Sequence, residues 1–404
     1  MSAVTPHLPG GLTGLLVRWF VKDPYNLKSE RVRARYGYLG GWVSCAVNLV
    51  LTGVKVSLGI WLGSRALIAD GFHSGSDMVT SAIVIFGFYM ASKPRDKEHP
   101  FGHANAELIA GLIMSIMLIV AGFELLRDAG MAIYHGEFQT LNASWVTYAL
   151  VAATILFKEW LFAFSKGLGK LIESRALDAD AWHHRMDSLT TMAVLFGMLG
   201  NQMGYPWLDP VVGLLVSAMV IWSGIEIAKD SISPLLGENV STQTLREIVD
   251  LALTDEKVYN AHDIYVHKYG QEHFISLHVE ILGSLTAMEM HDIAAQIQHN
   301  LQVRFGGACT VHVDPVDFKD ARYQKVAGEL RGLVKTHQEL LEFHDLQFRD
   351  DEAGCRIFFE FSVDPQIEED TYPKLQKLLE SDLKGRLDAA EVHFTLEPGY
   401  NILH

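Results

Sequence analysis

Cysteine is scarce in this sequence, and basic residues are outnumbered by acidic ones. Cys45, Cys309 and Cys355 are scattered and form no CxxC pair, so no disulfide framework is indicated. The 33 lysines and arginines against 48 acidic residues give a net charge of −15. This charge argues against a nucleic-acid partner, because phosphate binding needs a basic face. Residues 1–35 have only a short apolar run with no small-residue cleavage site after it, so we do not expect a secretory signal there.

Long apolar runs dominate the chain up to about residue 230, and ordinary mixed sequence rich in acids follows. Each run approaches the ~20 residues that a helix needs to cross a bilayer. The sequence therefore predicts a basic N-terminal segment, residues 1–35, and then a six-helix membrane domain, residues 36–232. We place the six spans at 38–62, 66–91, 106–133, 143–165, 178–203 and 207–229.

The connections between these spans differ in charge. The N-terminal segment and the connections after the second and fourth spans carry lysine and arginine, whereas the other three connections have almost none. Because basic loops stay on the cytoplasmic side, this pattern places both termini in the cytoplasm. We expect an integral membrane protein embedded in the lipid bilayer of a bacterial inner membrane.

Two of the predicted spans carry a histidine four residues before an aspartate. These are His73 and Asp77 in the second span, and His183 and Asp187 in the fifth. The spacing puts each pair on one helix face, and ionisable groups at membrane depth are costly unless they meet a cavity, a partner or a metal. Two imidazoles and two carboxylates suit a tetrahedral divalent ion such as zinc. A hydrogen-bonded pair within each helix is the alternative, which the repeated spacing disfavours.

Other ionisable residues lie beside this quartet. Asp70 and Asp180 come three residues before the two histidines, on the same helix faces, and we expect them to support the ligands or line the entrance. His184 is expected to be a neighbour on another face. Lys158 and Glu159 in the fourth span are expected to form pairs within the membrane rather than to bind metal.

The connection after the second span contains a further group of potential ligands, Asp96, His99 and His103. Carboxylate and imidazole groups at this spacing could form a three-ligand surface site. A solvated polar loop is the alternative that the spacing leaves open.

From about residue 240 onward, alternating runs typical of strands are mixed with amphipathic helices. They predict a small α+β domain, residues 238–318, in the order helix, two strands, helix, strand. The same plan recurs in residues 319–404, where His344 follows His262 by 82 residues. His393 similarly echoes His312. We therefore expect a tandem copy, with chance similarity as the alternative.

Histidines are dispersed through the first copy, as a metal site built across strands requires. Ordinary surface histidines are the alternative. The candidate ligands of this cytoplasmic site are His262, His278, His291, His312 and Asp314. The second copy has Glu360 where His278 would fall and no counterpart of His291. We therefore expect the second copy to bind metal poorly or not at all.

Together these stretches resemble the cation diffusion facilitator family, whose members export divalent metal from the cytoplasm by proton antiport. The resemblance rests on ALIADGFHSGSD, HPFGHANAELIAG, DADAWHHRMDSLTT, LDPVVGL, AHDIYVHK and VHVDP, within residues 36–318. It implies a homodimer with six membrane helices per protomer and a cytoplasmic ferredoxin-like domain, here followed by a second copy. It also implies that the quartet is the transport site, that the loop trio is a metal site, and that the cytoplasmic candidates form a two-metal site at the dimer interface.

The expected function is a transporter rather than an enzyme, because no HExxH motif and no spare nucleophile accompany the quartet. Metal and protons would compete for the same groups, since histidine binds metal only in its neutral form. Two imidazoles with two carboxylates favour zinc, and Fe²⁺, Co²⁺, Mn²⁺ and Cd²⁺ are the alternatives. A membrane-anchored metal-binding regulator that does not transport is the alternative from another class.

Overall fold

A computed structural model describes residues 10–27, 29–62, 65–136, 145–205, 207–351, 354–387 and 391–399. The chain divides into two compact units, Met1–Gly237 and Glu238–His404. In the described residues the first unit is built from helices, and the second combines helices with strands. We call them the helical unit and the α+β unit.

Six long helices form most of the helical unit, after a short helix α1 (Gly11–Phe20). Each of the six overlaps one of the predicted spans. They are α2 (Glu30–Leu62), α3 (Arg65–Ala91), α4 (Ala106–His135), α5 (Trp145–Ile172), α6 (Arg175–Gln202) and α7 (Leu208–Leu235).

Within the described part of the chain, α2, α4, α5 and α7 contain stretches long and apolar enough to cross a membrane. Helices α3 and α6 have the length, at 27 and 28 residues, but they carry the His–Asp pairs and further charges. Among the described side chains of α3, the stretch Asp77–Ala91 is apolar but shorter than a full span. Four spans therefore follow from length and composition, and a crossing by α3 and α6 stays a prediction.

Apolar and polar side chains are distributed in the helical unit as in a helix bundle surrounded by lipid. Trp61 and Trp222 are large apolar side chains on the outside, 77% and 73% exposed. Lys158, Asp180 and His184 are buried between helices. Ionisable groups in a membrane lie inside the bundle, where they find partners, while apolar side chains face the acyl chains.

Small residues bring the helices close together. Helix α2 packs on α3, α4 on α7, and α5 on α6. A Cβ atom added at Gly224 of α7 would lie 2.6 Å from a side-chain atom of Ile119 in α4. Close approach through such residues is how membrane helices gain packing energy, because lipid provides no hydrophobic driving force between them.

The α+β unit contains the same succession of elements twice. The first copy consists of α8 (Thr242–Ala252), β1 (Val258–Tyr269), β2 (Glu272–Leu282), α9 (Ala287–Phe305) and β3 (Cys309–Val316). The second copy consists of α10 (Ala321–Thr336), β4 (Leu340–Asp351), β5 (Gly354–Val363), α11 (Tyr372–Arg386) and β6 (Glu391–Pro398).

Each copy has a three-stranded mixed sheet. The strand orders are β1-β2-β3 and β4-β5-β6, with the first pair antiparallel and the second parallel. A complete ferredoxin-like fold has the order βαββαβ. In the described residues each copy begins with its helix, so each has the αββαβ part of that plan rather than all of it.

Each sheet packs its helices over a separate apolar core. Leu277, Ile281 and Leu301 are fully buried in the first copy, and Phe361 and Leu379 in the second. The strand residues among them alternate with polar side chains, as expected for a sheet that buries one face. The other face of each sheet is therefore free to present polar side chains.

Both first strands are interrupted at the same place. The pairing of β1 with β2 shifts between His262 and Tyr265, and that of β4 with β5 shifts between His344 and Gln347. A β-bulge of this kind redirects the side chains next to it.

Candidate metal sites

Helices α3, α5 and α6 place four ionisable side chains together inside the helical unit. Asp77 comes from α3, Lys158 from α5, and His183 and Asp187 from α6. His183 Nε2 lies 3.7 Å from Asp77 Oδ1 and 3.7 Å from Asp187 Oδ2. Ligand bonds of ~2 Å to a tetrahedral zinc ion put ligand atoms roughly 3.3 Å apart. Three of the four predicted transport ligands are thus spaced closely enough to share one ion.

The remaining predicted ligand, His73, belongs to α3, but its side chain lies outside the described residues, as does that of Asp70. The backbone places His73 one helical turn before Asp77. The two residues therefore share a helix face.

Lys158 holds the two carboxylates together. Its Nζ lies 2.7 Å from Asp77 Oδ2 and 2.7 Å from Asp187 Oδ2. The lysine side chain is 2% exposed. The sequence predicts an intramembrane pair for Lys158 but does not indicate Asp77 and Asp187 as its partners, because they come from two other helices. The signal in the sequence was a charged residue, Lys158, within an otherwise apolar helix, since such a residue needs a partner inside the bundle.

The geometry also supports a metal at this point. His183 Nε2 is buried and makes no hydrogen bond within the described structure. A buried imidazole nitrogen that makes no hydrogen bond costs free energy, because nothing replaces the hydrogen bonds to water that it lost. A divalent ion beside Asp77 and Asp187 would satisfy it.

A second polar network lies next to this cluster. His184 Nε2 is 2.8 Å from Ser44 Oγ and 3.4 Å from Asp180 Oδ2. Ser165 donates a hydrogen bond to the same Asp180 oxygen. Asp180 therefore pairs with His184 rather than with His183, and both side chains are fully buried. Glu159 forms a side-chain ion pair with Arg185.

The loop between α3 and α4 gathers its three predicted ligands. Asp96 Oδ1 is 3.3 Å from His99 Nδ1, and Asp96 Oδ2 is 3.5 Å from His103 Nε2. The backbone N–H groups of His99 and Glu98 donate to the same carboxylate and lower the pKa of Asp96. The carboxylate thus both shapes the loop and faces the two imidazoles.

In the first copy of the α+β unit, Asp314 lies at the centre of a histidine cluster. Its carboxylate oxygens are 3.1 Å from His278 Nδ1, 3.2 Å from His312 Nε2 and 3.7 Å from His262 Nε2. Strand pairing produces this arrangement, because His278 lies beside both His262 and His312 in the sheet. His291 is exposed on α9 and is not among the clustered residues.

A residue that the sequence did not single out joins this cluster. Asp345 Oδ1, from the second copy, lies 3.6 Å from His262 Nε2. Ligand atoms of His262, His278, Asp314 and Asp345 all lie within 4.8 Å of one another. The dipeptide His-Asp occurs at 262–263 and again at 344–345, and this repetition was the signal that could have pointed to Asp345.

Buried polar atoms without hydrogen bonds concentrate at this point. They include both ring nitrogens of His262, Nδ1 of His278, Oδ2 of Asp314 and Oδ1 of Asp345. Such atoms are rare in folded proteins, and a metal ion is one of the groups that satisfies them. The donor set therefore fits a divalent ion.

Charge within the cluster shifts the pKa values of two of its members. The carboxylate of Asp314 raises the pKa of His278. Burial opposes ionisation of Asp345, but the contact with His262 and the nearby charges of His344 and His278 together lower the pKa of Asp345. Metal and protons would therefore compete for the same ligand atoms at these residues.

The second copy differs from the expected alignment. His344 lies beside Glu360 in the sheet, as His262 lies beside His278, but the next residue in register is Thr395 rather than His393. His393 lies two residues earlier in β6, stacks on Phe358 and contacts Glu391. The strand counterpart of His312 is thus Thr395, and the echo at His393 misplaced the pairing by two residues.

Comparison with known families and proteins agrees with these features. A family model described as the cation efflux transmembrane domain matches residues 41–236, and one described as the cation efflux protein cytoplasmic domain matches residues 240–316. An uncharacterised transporter of Methanocaldococcus jannaschii is 34% identical over 276 residues, 68% of this chain and 97% of the relative.

Two further relatives are named for metals. Metal tolerance protein 2 of Oryza sativa subsp. japonica is 30% identical over 282 residues, 64% of this chain and 72% of the relative. The manganese efflux system protein MneS of Bacillus subtilis is 29% identical over 289 residues, 70% of this chain and 97% of the relative. Residues 317–404 lie beyond both matched family models.

Proposed function

We propose that this chain, which belongs to the cation efflux (cation diffusion facilitator) family of metal efflux transporters, exports divalent metal from the cytoplasm in exchange for protons. The chain is an integral membrane protein, as its family and its apolar helices show. The observation that carries the proposal is the convergence of Asp77, His183 and Asp187 from two helices. We include His73 as the fourth ligand of the transported ion.

Lys158 gives the exchange a physical basis. Two buried carboxylates repel each other and resist desolvation, and the lysine ammonium between them compensates both. An entering divalent ion must displace the ammonium to reach the same oxygens. When the ion leaves, the lysine returns and stabilises the metal-free helices. Metal and lysine thus alternate as the counter-charge of one carboxylate pair.

Protons take part through His183. Its Nε2 binds metal only when it is unprotonated, so metal entry and proton binding exclude each other at this atom. Protons arriving from outside compete for the imidazole and promote release of the ion. Rocking of helices around the fixed site would provide alternating access.

Zinc is the proposed substrate, because two imidazoles and two carboxylates suit it. Manganese is the main alternative. Without His73, the site offers Asp77, His183 and Asp187, a donor set richer in oxygen, and one similar protein is named as a manganese efflux system protein. Fe²⁺, Co²⁺ and Cd²⁺ belong in the same comparison.

Placement and assembly complete the proposal. Basic connections support cytoplasmic termini in a bacterial inner membrane. The family's cytoplasmic domain supports a homodimer. Loop residues Asp96, His99 and His103 would bind a further ion near the bundle, since their ligand atoms lie within 4.8 Å of one another.

Uptake into sealed proteoliposomes with an imposed pH gradient tests the function. Asp77→Asn and Asp187→Asn should each reduce metal-driven proton flux at least tenfold. Asp128→Asn, which changes an exposed carboxylate in the C-terminal third of α4, serves as the matched control and should transport normally. Normal flux in both site variants would refute the transport-site assignment. A panel of Zn²⁺, Mn²⁺, Fe²⁺, Co²⁺ and Cd²⁺ identifies the substrate.

A membrane-anchored metal-binding regulator is the second candidate, and the cluster around Asp314 favours it. Under this alternative the α+β unit binds metal while no ion crosses the membrane. The same vesicles distinguish the two functions, because a regulator binds metal but produces neither uptake nor proton flux.

A further inference from the structure

The two copies of the α+β unit contact each other through equivalent residues. The rings of His262 and His344 lie against each other, tilted by 34°, with centroids 4.5 Å apart. His262 Nε2 lies 3.6 Å from Asp345 of the second copy, and His344 Nε2 lies 3.7 Å from Asp263 of the first. Each histidine therefore contacts the aspartate that follows the other histidine, an approximately two-fold arrangement within one chain.

Backbone conformation directs both aspartates across this junction. Asp263 and Asp345 have φ values of 47° and 55°, in the left-handed region that aspartate tolerates better than most residues. Both lie in the bulges that interrupt β1 and β4. The backbone N–H of Asp345 donates to Glu280 of the first copy, which holds the second copy's bulge in place.

His344 is oriented like a metal ligand. Its Nδ1 lies 3.5 Å from Ser362 Oγ, in a hydrogen bond that orients the ring. Its Nε2 is buried and makes no hydrogen bond within the described residues, and the side chain is 1% exposed. A histidine that binds metal through one nitrogen commonly hydrogen-bonds through the other.

Three carboxylates surround this nitrogen. Glu360 lies beside His344 in the sheet, with Oε2 3.6 Å from Nε2. Glu397 in β6 pairs with the residue two positions after Glu360 in β5. Asp314 in β3 pairs in the same way with the residue two positions after His278 in β2, so Glu397 and Asp314 occupy equivalent positions. Ligand atoms of Asp263, His344, Glu360 and Glu397 all lie within 4.8 Å of one another.

We propose that the two copies form an intramolecular pair with two metal sites at their junction, each completed by the aspartate of the other copy. One site consists of His262, His278, Asp314 and Asp345. The other consists of His344, Glu360, Glu397 and Asp263.

The two sites differ in chemistry. The first has two imidazoles and two carboxylates, with His312 close by, and suits Zn²⁺ or Co²⁺. The second has one imidazole and three carboxylates, a harder donor set that suits Mn²⁺. A single chain can therefore respond separately to two classes of divalent ion. The expectation that the second copy binds metal poorly overlooked Asp263, which comes from the first copy.

Binding of Mn²⁺ to the metal-free full-length chain in detergent tests the second site. Electron paramagnetic resonance follows the decrease of the free-ion signal, and each variant is compared with the wild type so that ions bound elsewhere cancel. Asp263→Asn and Glu397→Gln should each weaken the binding of about one ion at least ~10-fold. Glu391→Gln removes a carboxylate from the same strand, ~20 Å away, and should change nothing. Equal effects in all three variants, or no effect in any, would overturn the proposal.

Reciprocity is tested with Co²⁺, whose visible absorption reports imidazole ligation. Asp345→Asn should weaken Co²⁺ binding and leave Mn²⁺ binding intact, and Asp263→Asn should do the reverse. Asparagine adopts the left-handed backbone as readily as aspartate, so both bulges should persist. Circular dichroism checks the sheets, and Glu360→Gln replaces Asp263→Asn if that variant misfolds. Loss of both metals in either aspartate variant would contradict two separate sites.

Vesicle transport is measured independently of these binding experiments. A chain that transports metal but shows no change on Glu397→Gln contradicts this inference alone. A chain that binds both ions at the junction but transports none contradicts only the transport proposal.

Discussion

Lys158 Nζ lies 2.7 Å from Asp187 Oδ2 in the interior of the helical unit, and the same nitrogen is 2.7 Å from Asp77. The buried ammonium group of Lys158 thus occupies the position at which the two carboxylates would bind a transported ion. Transport in this chain would require the ion to compete with the protein's own ammonium group.

Lys158→Met should strengthen metal binding and lower the stability of the metal-free protein. Without the ammonium, two buried carboxylates lose their counter-charge, and breaking a buried pair costs ~3–5 kcal/mol. We expect a lower melting temperature in chelator and a large rise when Zn²⁺ or Mn²⁺ is added, together with slower turnover because release is impaired. Thermal unfolding and vesicle flux provide the measurements. Lys158→Arg keeps the charge, and identical behaviour of the two variants would refute the role of charge.

His183 and His184 are adjacent, but substituting them should have different consequences. His183→Ala removes a ligand and should reduce transport at least tenfold with little loss of stability, because its Nε2 makes no hydrogen bond. His184→Ala breaks contacts with Ser44 and Asp180, so the main effect should be a lower melting temperature. If transport depends on His184 and tolerates His183→Ala, the ligand assignment is wrong.

Cys309 should react slowly with alkylating reagents in the folded protein. Burial raises the pKa of its thiol to about 11, so at pH 8 about one molecule in a thousand carries the reactive thiolate. The raised pKa means that the rate should increase about tenfold per pH unit from pH 8 toward pH 10.

Mass spectrometry of a chain with Cys45→Ser and Cys355→Ser measures this rate at Cys309. The same chain unfolded in urea is the control and should react rapidly at pH 8. Equal rates in the folded and unfolded protein would show that Cys309 is accessible.

Close packing of α4 on α7 should depend on Gly224. Gly224→Ala places a methyl group against Ile119 and should lower the melting temperature of the protein in detergent, because the helices must separate. Gly130→Ala in α4 is the matched control. A Cβ there would meet nothing within 4 Å, and alanine favours helix by up to ~1 kcal/mol. A neutral Gly224→Ala would contradict the close contact.

Local features were predictable because they depend on spacing along the chain. The positions of the six long helices follow from apolar runs, and the shared face of His183 and Asp187 follows from the helical repeat. The strands that carry His278 and His312 were also predictable, because alternation of polar and apolar residues identified them. By contrast, the prediction that His393 is the counterpart of His312 in the second copy was wrong. The position of a residue along a parallel strand is set by the register of the whole sheet, which the sequence does not show.

The chain's own residue order determined its membrane helices, its recurring αββαβ plan and the presence of two His–Asp pairs, because these properties arise within one helix or one strand. Only the tertiary structure decided that Lys158 lies between Asp77 and Asp187, and that Asp263 and Asp345 each complete the other copy's cluster. These contacts join residues 29 to 83 positions apart, through helix packing and two backbone bulges. No local periodicity encodes them, since the free energy of such contacts depends on how separate elements meet.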